Sequence, residues 1–156
     1  MMHLCCDVLK ALQGKTLVTA ESCTGGGIGA ALTAVSGSSA VYKGGIISYT
    51  NWVKENMLGV DANVLQKEGA VSAPVAEAMA KGVRNRLQAD VAVSVTGLAG
   101  PSGDDFGNPV GTVFIGYCDE KCCLSCRFLF SGDRESVRQQ AIEEALKLVL
   151  QKAVDF

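Results

Sequence analysis

A short run rich in hydroxyls, a thiol and glycines, Glu21-Ser22-Cys23-Thr24-Gly25-Gly26-Gly27, most constrains how this chain can fold. It follows an apolar, β-branched stretch, Thr16–Ala20, and precedes a small-residue stretch with helical character, Ile28–Val35. The sequence therefore predicts a strand-to-helix turn at this run. Backbone N–H groups converge at such a turn, and a side chain there can stand exposed. Three roles stay open at this point: a phosphate cradle, a reactive turn, or a plain connection.

The rest of the chain alternates helical and strand patterns. Helices are predicted at 4–12, 28–35, 50–58, 61–69, 72–87 and from Asp133 onward, and strands at 16–20, 41–49, 90–95, 112–117 and 121–130. Thr50, Asp61, Ser72 and Asp133 are the expected N-caps, and 96–109 reads as a Gly/Pro-rich loop. We expect one α/β domain over 1–156: three layers, a mixed and mainly parallel sheet flanked by helices, a late β-hairpin and a long C-terminal helix.

Composition excludes several classes of protein. The chain has 156 residues, with 14 basic and 16 acidic side chains and a net charge of −2, which gives no electrostatic footprint for nucleic acid. No apolar run approaches the roughly 20 residues that span a bilayer, so no membrane partner is expected. The first residues lack the basic start and apolar core of a signal peptide. We expect a cytoplasmic protein.

Seven cysteines suggest metal or disulfide chemistry, but their spacing does not support a site. In a cytoplasmic chain we expect reduced thiols rather than a disulfide framework. Cys123 and Cys126 have CxxC spacing, with Cys118 and Cys122 nearby. These thiols would be spread along a predicted hairpin, and no second CxxC or histidine pair completes a tetrahedral set. No metal site and no cofactor are predicted.

Two phosphate-binding motifs match only superficially. Gly14-Lys15-Thr16 resembles the end of a P-loop, but the first glycine of that motif is replaced by Leu9 and the triplet leads from helix to strand. Gly25–Ala30 formally fits GxGxxA, yet no acidic residue follows the next strand to hold a ribose. Dinucleotide-dependent redox chemistry therefore stays a minor possibility.

The single histidine, His3, limits how Ser22 or Cys23 could be activated. It lies near the N-terminus, which leaves no base for a Ser-His-Asp triad or a Cys-His dyad and excludes HExxH zinc chemistry. A lysine, a tyrosine or a carboxylate must serve instead. Tyr49 ends a predicted strand and Lys54 lies one turn into the next helix, so both can point to one place. Spacing alone still favours a simpler view, in which Tyr49 is a core-edge aromatic and Lys54 a solvated charge.

Several collinear motifs resemble the CinA C-terminal domain family of nicotinamide-nucleotide amidohydrolases, in its stand-alone form. They are Ala20–Gly26, Ser36–Ser39, Gly44-Gly45, Tyr49-Thr50-Asn51 with Lys54, Leu58–Val60, Gly69–Ser72, Thr96–Pro101, Pro109–Thr112 and Gly132–Arg134. The resemblance covers essentially the whole chain. It implies hydrolysis of the carboxamide of nicotinamide mononucleotide to nicotinic acid mononucleotide and ammonia. A small nucleotide substrate, no cofactor, and a homo-oligomer with a dimer favoured are the corresponding expectations.

The resemblance also implies roles for individual residues. Ser22 is the nucleophile, and Tyr49 and Lys54 activate it, with Cys23 as the rival nucleophile. Backbone N–H groups around Thr24, Gly25 and Gly26 bind either an oxyanion or a phosphate. Further substrate-binding residues are expected beyond the strand that ends near Val95 and at the start of the last helix: Thr96, Gly97, Ala99, Gly100 and Arg134, with Arg138 as a second possible phosphate ligand.

One segment departs from the family pattern. After Gly100-Pro101 the family usually has further glycines, a threonine and a lysine, whereas this chain has Ser102–Asn108 with two carboxylates, Asp104 and Asp105. If that loop faces the substrate, it disfavours a phosphate. The alternative to an enzyme is a non-catalytic, nucleotide-binding or regulatory homologue with the same fold.

Overall fold

The computed structural model describes residues 1–154, and its elements follow the predicted order. The helices are α1 (Met2–Ala11), α2 (Gly27–Thr33), α3 (Asn51–Leu58), α4 (Ala62–Glu68), α5 (Ala73–Leu87) and α6 (Arg134–Ala153), with a short 3₁₀ turn at Ser38–Ala40. The strands are β1 (Leu17–Glu21), β2 (Tyr42–Ile47), β3 (Val91–Gly97), β4 (Thr112–Cys118) and β5 (Cys123–Leu129). None of the helices in this described part is long and apolar enough to cross a membrane.

All five strands form one sheet in the order β2-β1-β3-β4-β5. β1 pairs in parallel with both β2 and β3, and β4 and β5 complete the sheet as an antiparallel hairpin beside β3. Four strands, β1, β2, β3 and β5, consequently point the same way. The mixed, mainly parallel sheet and the late hairpin are confirmed. Because β1, β2 and β3 are parallel, the residues that follow them meet at one edge of the sheet.

Helices cover both faces of the sheet, as expected for three layers. α1, α2 and α6 pack on one face and α5, with α3 and α4 beside it, on the other. The buried strands alternate between these two cores. Leu17, Val91 and Val93 belong to the first core, while Val18 and Ala92 belong to the second. A strand buried on both faces reads as a continuous apolar run, which is how β1 and β3 appear in the sequence.

Three of the four predicted N-caps are confirmed. Thr50, Asp61 and Asp133 accept hydrogen bonds from backbone N–H groups in the first turns of α3, α4 and α6. Ser72 occupies the N-cap position of α5, but its hydroxyl donates to the Gly69 carbonyl at 2.8 Å and makes no capping bond. Its side chain therefore fixes the preceding turn instead of the helix.

Two boundaries and one statement about the thiols need correction. β3 continues through Thr96 and Gly97, because these residues still pair with β4, and β2 ends at Ile47 rather than Tyr49. Cys118 and Cys123 face each other across the β4–β5 hairpin and form a disulfide, so the expectation of reduced thiols was wrong for these two residues. The other five cysteines are free.

A buried carboxylate fixes the start of α2. Glu21 is 2% exposed. It accepts hydrogen bonds from the Thr24 hydroxyl at 2.7 Å and from the backbone N–H groups of Ile28 and Gly29 at 2.8 and 3.1 Å. These N–H groups are the ones a bound anion would otherwise use at a helix start. A phosphate cradle at Ile28 and Gly29 is therefore already filled by the protein itself.

We expect Glu21→Gln to lower the free energy of unfolding by about 2 kcal/mol, because one of the two acceptor oxygens becomes a donor that faces buried donors. Urea denaturation measures this. The control Glu55→Gln changes an exposed side chain on α3 and should stay within about 0.5 kcal/mol of the wild type. Equal unfolding midpoints for Glu21→Gln and the wild type would contradict the role of this carboxylate.

Candidate active site

A cleft of about 390 Å³ opens at the edge of the sheet where β1 and β3 end. Its volume falls in the range typical of small-molecule sites. Residues from β1, β3, α3, α6 and their loops line it: Ser22, Cys23, Tyr49, Asn51, Lys54, Ala70, Val71, Thr96, Gly97, Leu98, Ala99, Gly100, Pro101, Ser102 and Arg134. The fold thus brings together residues as far apart in the chain as Ser22, after β1, and Arg134, at the start of α6.

Ser22 is the first residue after β1 and lies at the base of this cleft. Its N–H donates to the Val95 carbonyl at 2.9 Å and its carbonyl accepts from the Gly25 N–H at 3.0 Å. Gly25 and Gly26 have positive φ angles of 59° and 103°, which favour glycine. The glycines therefore make the sharp turn from strand to helix, while the strand pairing fixes the serine.

Arg138, on α6, holds the next part of this turn. Its guanidinium donates to the Cys23 carbonyl at 3.0 Å and to the Thr24 carbonyl at 3.1 Å. These contacts use two of its donors on the backbone. Arg138 does not line the cleft, so the structure places it as a support of the turn rather than as a phosphate ligand.

Lys54 is the residue that touches Ser22. Its side chain is buried, with 2% exposed, and Nζ donates to Ser22 Oγ at 3.0 Å. The same amine donates to the Ser48 carbonyl at 2.8 Å and to the Tyr49 carbonyl at 3.2 Å. All three N–H directions of the amine therefore have partners. The two carbonyls belong to the chain between β2 and α3, which aims the lysine back across the end of β1.

Burial lowers the pKa of Lys54 from 10.5 to about 8, because the desolvated site disfavours the ammonium form. The Cys23 thiol opposes this shift only as a smaller effect. No acidic side chain is among the residues lining the cleft in the described part of the chain. An amine with this pKa can both accept and return a proton near neutral pH.

Cys23 lies beside the serine but is poorly suited to attack. Its side chain is 5% exposed. Burial raises the pKa of its thiol to about 11, although Arg138 and Lys54 act in the opposite direction. A thiolate is needed for nucleophilic attack. The rival nucleophile is thus held as a buried, protonated thiol.

Tyr49 also lines the cleft, but its hydroxyl has a different partner from the one expected. The hydroxyl accepts a hydrogen bond from Arg134 at 3.2 Å, and the ring is largely exposed. Within residues 1–154 no hydrogen bond joins this hydroxyl to Ser22 or Lys54. Tyr49 reaches the lysine only through its backbone carbonyl.

Arg134 closes one side of the cleft. From the start of α6 its guanidinium donates to the Gly100 carbonyl at 2.7 Å and to the Tyr49 hydroxyl. It therefore bridges the segment after β3 and the segment after β2. Two of its five donors are used in this way. The guanidinium of Arg134 carries a positive charge at this wall, which makes the cleft suitable for an anionic ligand.

The predicted binding residues fall into two groups. Those at the end of β3 and directly after it line the cleft: Thr96, Gly97, Ala99 and Gly100. The Thr96 hydroxyl donates to the Ala70 carbonyl at 2.8 Å and thereby fixes a wall. A Cβ on Gly97 would lie 2.6 Å from the Val113 side chain, so a larger residue does not fit.

The other group, Thr24, Gly25 and Gly26, does not line this cleft. Thr24 is fully buried, and its hydroxyl is bonded to Glu21. The Gly25 N–H is bonded to the Ser22 carbonyl. Gly26 faces a separate, smaller groove between α2 and β2. Backbone N–H groups of Thr24 and Gly26 make no hydrogen bond to any other described residue.

Sequence reasoning assigned no role to several cleft residues, namely Asn51, Ala70, Val71, Leu98, Pro101 and Ser102. Most of them lie inside the collinear motifs, and this was the available signal. The segment with Ala70 and Val71 sits between two helices, and only the Thr96 hydroxyl bond shows that it crosses to β3. Asn51 stands one turn before Lys54 on α3.

The divergent loop turns its carboxylate inward. Asp104 accepts hydrogen bonds from the backbone N–H groups of Phe106 and Asn108, both at 3.0 Å, and from the Asn108 side chain at 2.8 Å. These bonds lower the pKa of the Asp104 carboxyl, although its partial desolvation acts in the opposite direction. Neither Asp104 nor Asp105 lines the cleft. Of the altered segment, only Ser102 reaches it.

Comparisons with known proteins give one consistent result. The family model of the CinA C-terminal domain matches residues 2–153 of this chain. A CinA-like protein of Citrifermentans bemidjiense is 51% identical over 126 residues, which cover 81% of this chain and 30% of the relative. A CinA-like protein of Synechococcus sp. (strain CC9902) is 47% identical over 135 residues, covering 85% and 32%. The chain thus spans about a third of the length of the curated relatives it matches.

Solved structures agree over nearly the whole chain. A competence-damaged protein (CinA) superfamily protein of Klebsiella pneumoniae superposes with a TM-score of 0.96 at 35% identity, covering 99% of this chain and 98% of that one. The competence/damage inducible protein CihA of Agrobacterium tumefaciens gives 0.92 at 37% identity, covering 96% and 93%. With this fold, this cleft and a family match from end to end, the chain belongs to the CinA C-terminal domain family.

Proposed function

We propose that this protein is an amidohydrolase that hydrolyses the carboxamide of nicotinamide mononucleotide, with Ser22 as nucleophile and Lys54 as general base. The contact of 3.0 Å between Lys54 Nζ and Ser22 Oγ carries the proposal. A buried lysine whose pKa is lowered to about 8 and which touches a serine is the arrangement required when no histidine is at hand. The choice of substrate rests on the family resemblance and on the cationic cleft.

The first step is proton transfer from Ser22 to Lys54. A neutral amine has two N–H donors and one lone pair. Since the Ser48 and Tyr49 carbonyls take two donors, the lone pair faces Ser22 Oγ. The serine proton moves to Nζ as Oγ forms a bond to the carboxamide carbon. The carbonyl π bond breaks at the same time and leaves an oxyanion.

Backbone N–H groups of the glycine turn then stabilise the oxyanion. The Gly25 N–H is already bonded to the Ser22 carbonyl. Of the three predicted donors, Thr24 and Gly26 therefore keep N–H groups without a partner in residues 1–154, and Thr24 stands two positions after Ser22.

Collapse of the tetrahedral intermediate completes acyl transfer. The carbon–nitrogen bond breaks, and the Lys54 ammonium gives its proton to the leaving nitrogen, which departs as ammonia. Neutral Lys54 next removes a proton from water, whose oxygen attacks the Ser22 ester. The ester bond breaks, the proton returns to Ser22 Oγ, and the acid product leaves.

The two ends of the substrate suit different parts of the cleft. The apolar side chains of Ala70, Val71, Leu98 and Ala99 offer a surface for the pyridine ring. Arg134 has further N–H donors beyond those on Gly100 and Tyr49, and it can hold the phosphate in a charge-assisted pair. Asp104 does not interfere, because its carboxylate is bonded within its own loop.

Replacing the nucleophile separates the two serious candidates. We expect Ser22→Ala to abolish release of ammonia and nicotinic acid mononucleotide, whereas Cys23→Ala should keep activity within about tenfold, since the Cys23 thiol is buried and protonated. Product is measured by chromatography after prolonged incubation. Activity lost in Cys23→Ala but kept in Ser22→Ala would reverse the assignment. A wild type that binds the nucleotide without turnover would instead support the non-catalytic homologue.

The lysine predicts a rising pH profile. Only neutral Lys54 accepts the serine proton, so kcat/KM should increase about tenfold per pH unit below a midpoint near 8 and level off above it. Lys54→Met should remove this midpoint and lower kcat/KM by about a hundredfold or more. Lys67→Met, on the exposed surface of α4, is the control that should keep the wild-type profile. A midpoint that survives in Lys54→Met would show that another group is the base.

The phosphate contact is tested by pairing one variant with two substrates. Arg134→Met should lower kcat/KM for nicotinamide mononucleotide by about tenfold to a hundredfold, since a charge-assisted pair contributes about 1.5 to 3 kcal/mol. Nicotinamide riboside lacks the phosphate and should be much less affected by the same substitution. Equal losses with both substrates would mean that Arg134 only supports the cleft.

A further inference from the structure

Asn51 precedes Lys54 by one helical turn on α3. It is the first residue of α3, three positions before Lys54, and it lines the same cleft as Ser22. Lys54 Nζ donates to the carbonyls of Ser48 and Tyr49, which precede the helix. The lysine side chain therefore runs back toward the helix start, in the direction in which helical side chains lean. Its amine ends beside the first turn, where Asn51 stands.

The side chain of Asn51 also has no hydrogen-bond partner among the described residues, unlike most polar side chains of the cleft. Thr96, Tyr49 and Arg134 are bonded to neighbouring protein groups. The Asn51 amide makes no hydrogen bond to any described residue and is exposed. Ser102 is similarly unbonded, but it belongs to the loop after β3 and not to the helix that carries the lysine. Asn51 thus offers a free amide beside the place where the leaving nitrogen must take its proton.

Building on the function proposed above, we propose that Asn51 is a specificity residue whose Oδ1 accepts a hydrogen bond from the NH₂ of the substrate carboxamide. Of the two amide atoms, Oδ1 is the one that can accept from an N–H donor of the substrate. A primary carboxamide supplies an N–H donor at this place. The carboxylate product has no N–H and presents a negative oxygen to Oδ1, so it is disfavoured. The residue therefore selects amide over acid and promotes product release.

Binding to a non-hydrolysing protein tests this selection directly. In the Ser22→Ala background, the ratio of Kd for nicotinic acid mononucleotide to Kd for nicotinamide mononucleotide is measured by calorimetry. Adding Asn51→Ala should lower that ratio about tenfold, mostly through weaker amide binding. Adding Asn85→Ala, an exposed asparagine on α5, should leave it unchanged. An unchanged ratio in the Asn51 variant overturns the inference.

A second variant tests whether the side chain at position 51 lies close to the Lys54 amine. Asn51→Asp keeps an acceptor and adds a carboxylate beside Lys54, which favours the ammonium form. The midpoint of the kcat/KM profile should therefore move up by about one pH unit. An unmoved midpoint would show that Asn51 does not approach the amine and would also overturn the inference.

The outcomes for hydrolysis and for selection are distinguishable. If the wild type gives no product while Asn51→Ala still lowers the ratio of Kd values, the hydrolysis fails and the selection by Asn51 stands. If the wild type gives product and the ratio is unaffected, only the inference about Asn51 fails. If the Ser22→Ala protein binds neither nucleotide, the inference about Asn51 is overturned, and the hydrolysis is overturned as well only if the wild type gives no product.

Discussion

Glu21 is the residue on which the geometry of this site depends. Its carboxylate bonds the start of α2, and its backbone carbonyl accepts the Ser48 N–H at 2.8 Å. Ser48 in turn presents its own carbonyl to Lys54, while Ser22 directly follows Glu21 in the chain. Ser22 and Lys54, the proposed nucleophile and base, are therefore joined by a short path of strand pairing and hydrogen bonds. Their 3.0 Å contact follows from the fold and does not require a flexible loop.

The burial of Lys54 is unfavourable for stability but suits the proposed role of this amine as a base. Removing an ammonium from water disfavours its charged form, and this is the main cause of its lowered pKa. Two backbone carbonyls compensate part of that cost and also orient the amine. A solvated lysine at the same position would stay protonated at neutral pH and could not accept the serine proton. The buried position of Lys54 therefore both costs stability and lowers the pKa of its amine.

The sequence predicted the helices, the strands and the fold class better than it predicted the site. Apolar runs such as Val91–Val95 and the caps at Thr50 and Asp133 are local signals, so the elements and the α/β class followed from them. The end of β3 did not, because Thr96 and Gly97 look like loop residues until β4 pairs with them. Nor could spacing decide whether Lys54 is solvated or buried. That depends on the contact between Lys54 and Ser22, 32 positions apart in the chain, which leaves no local pattern.

Tyr49 shows why a motif identifies residues before it identifies their tasks. The sequence brings Tyr49 and Lys54 to the same cleft, and the structure then gives them different partners. The tyrosine hydroxyl is paired with Arg134, while its carbonyl serves the lysine. Tyr49 therefore connects Lys54, through its carbonyl, with Arg134, through its hydroxyl. In the proposed function, a phosphate bound by Arg134 would therefore compete with the Tyr49 hydroxyl for the guanidinium donors.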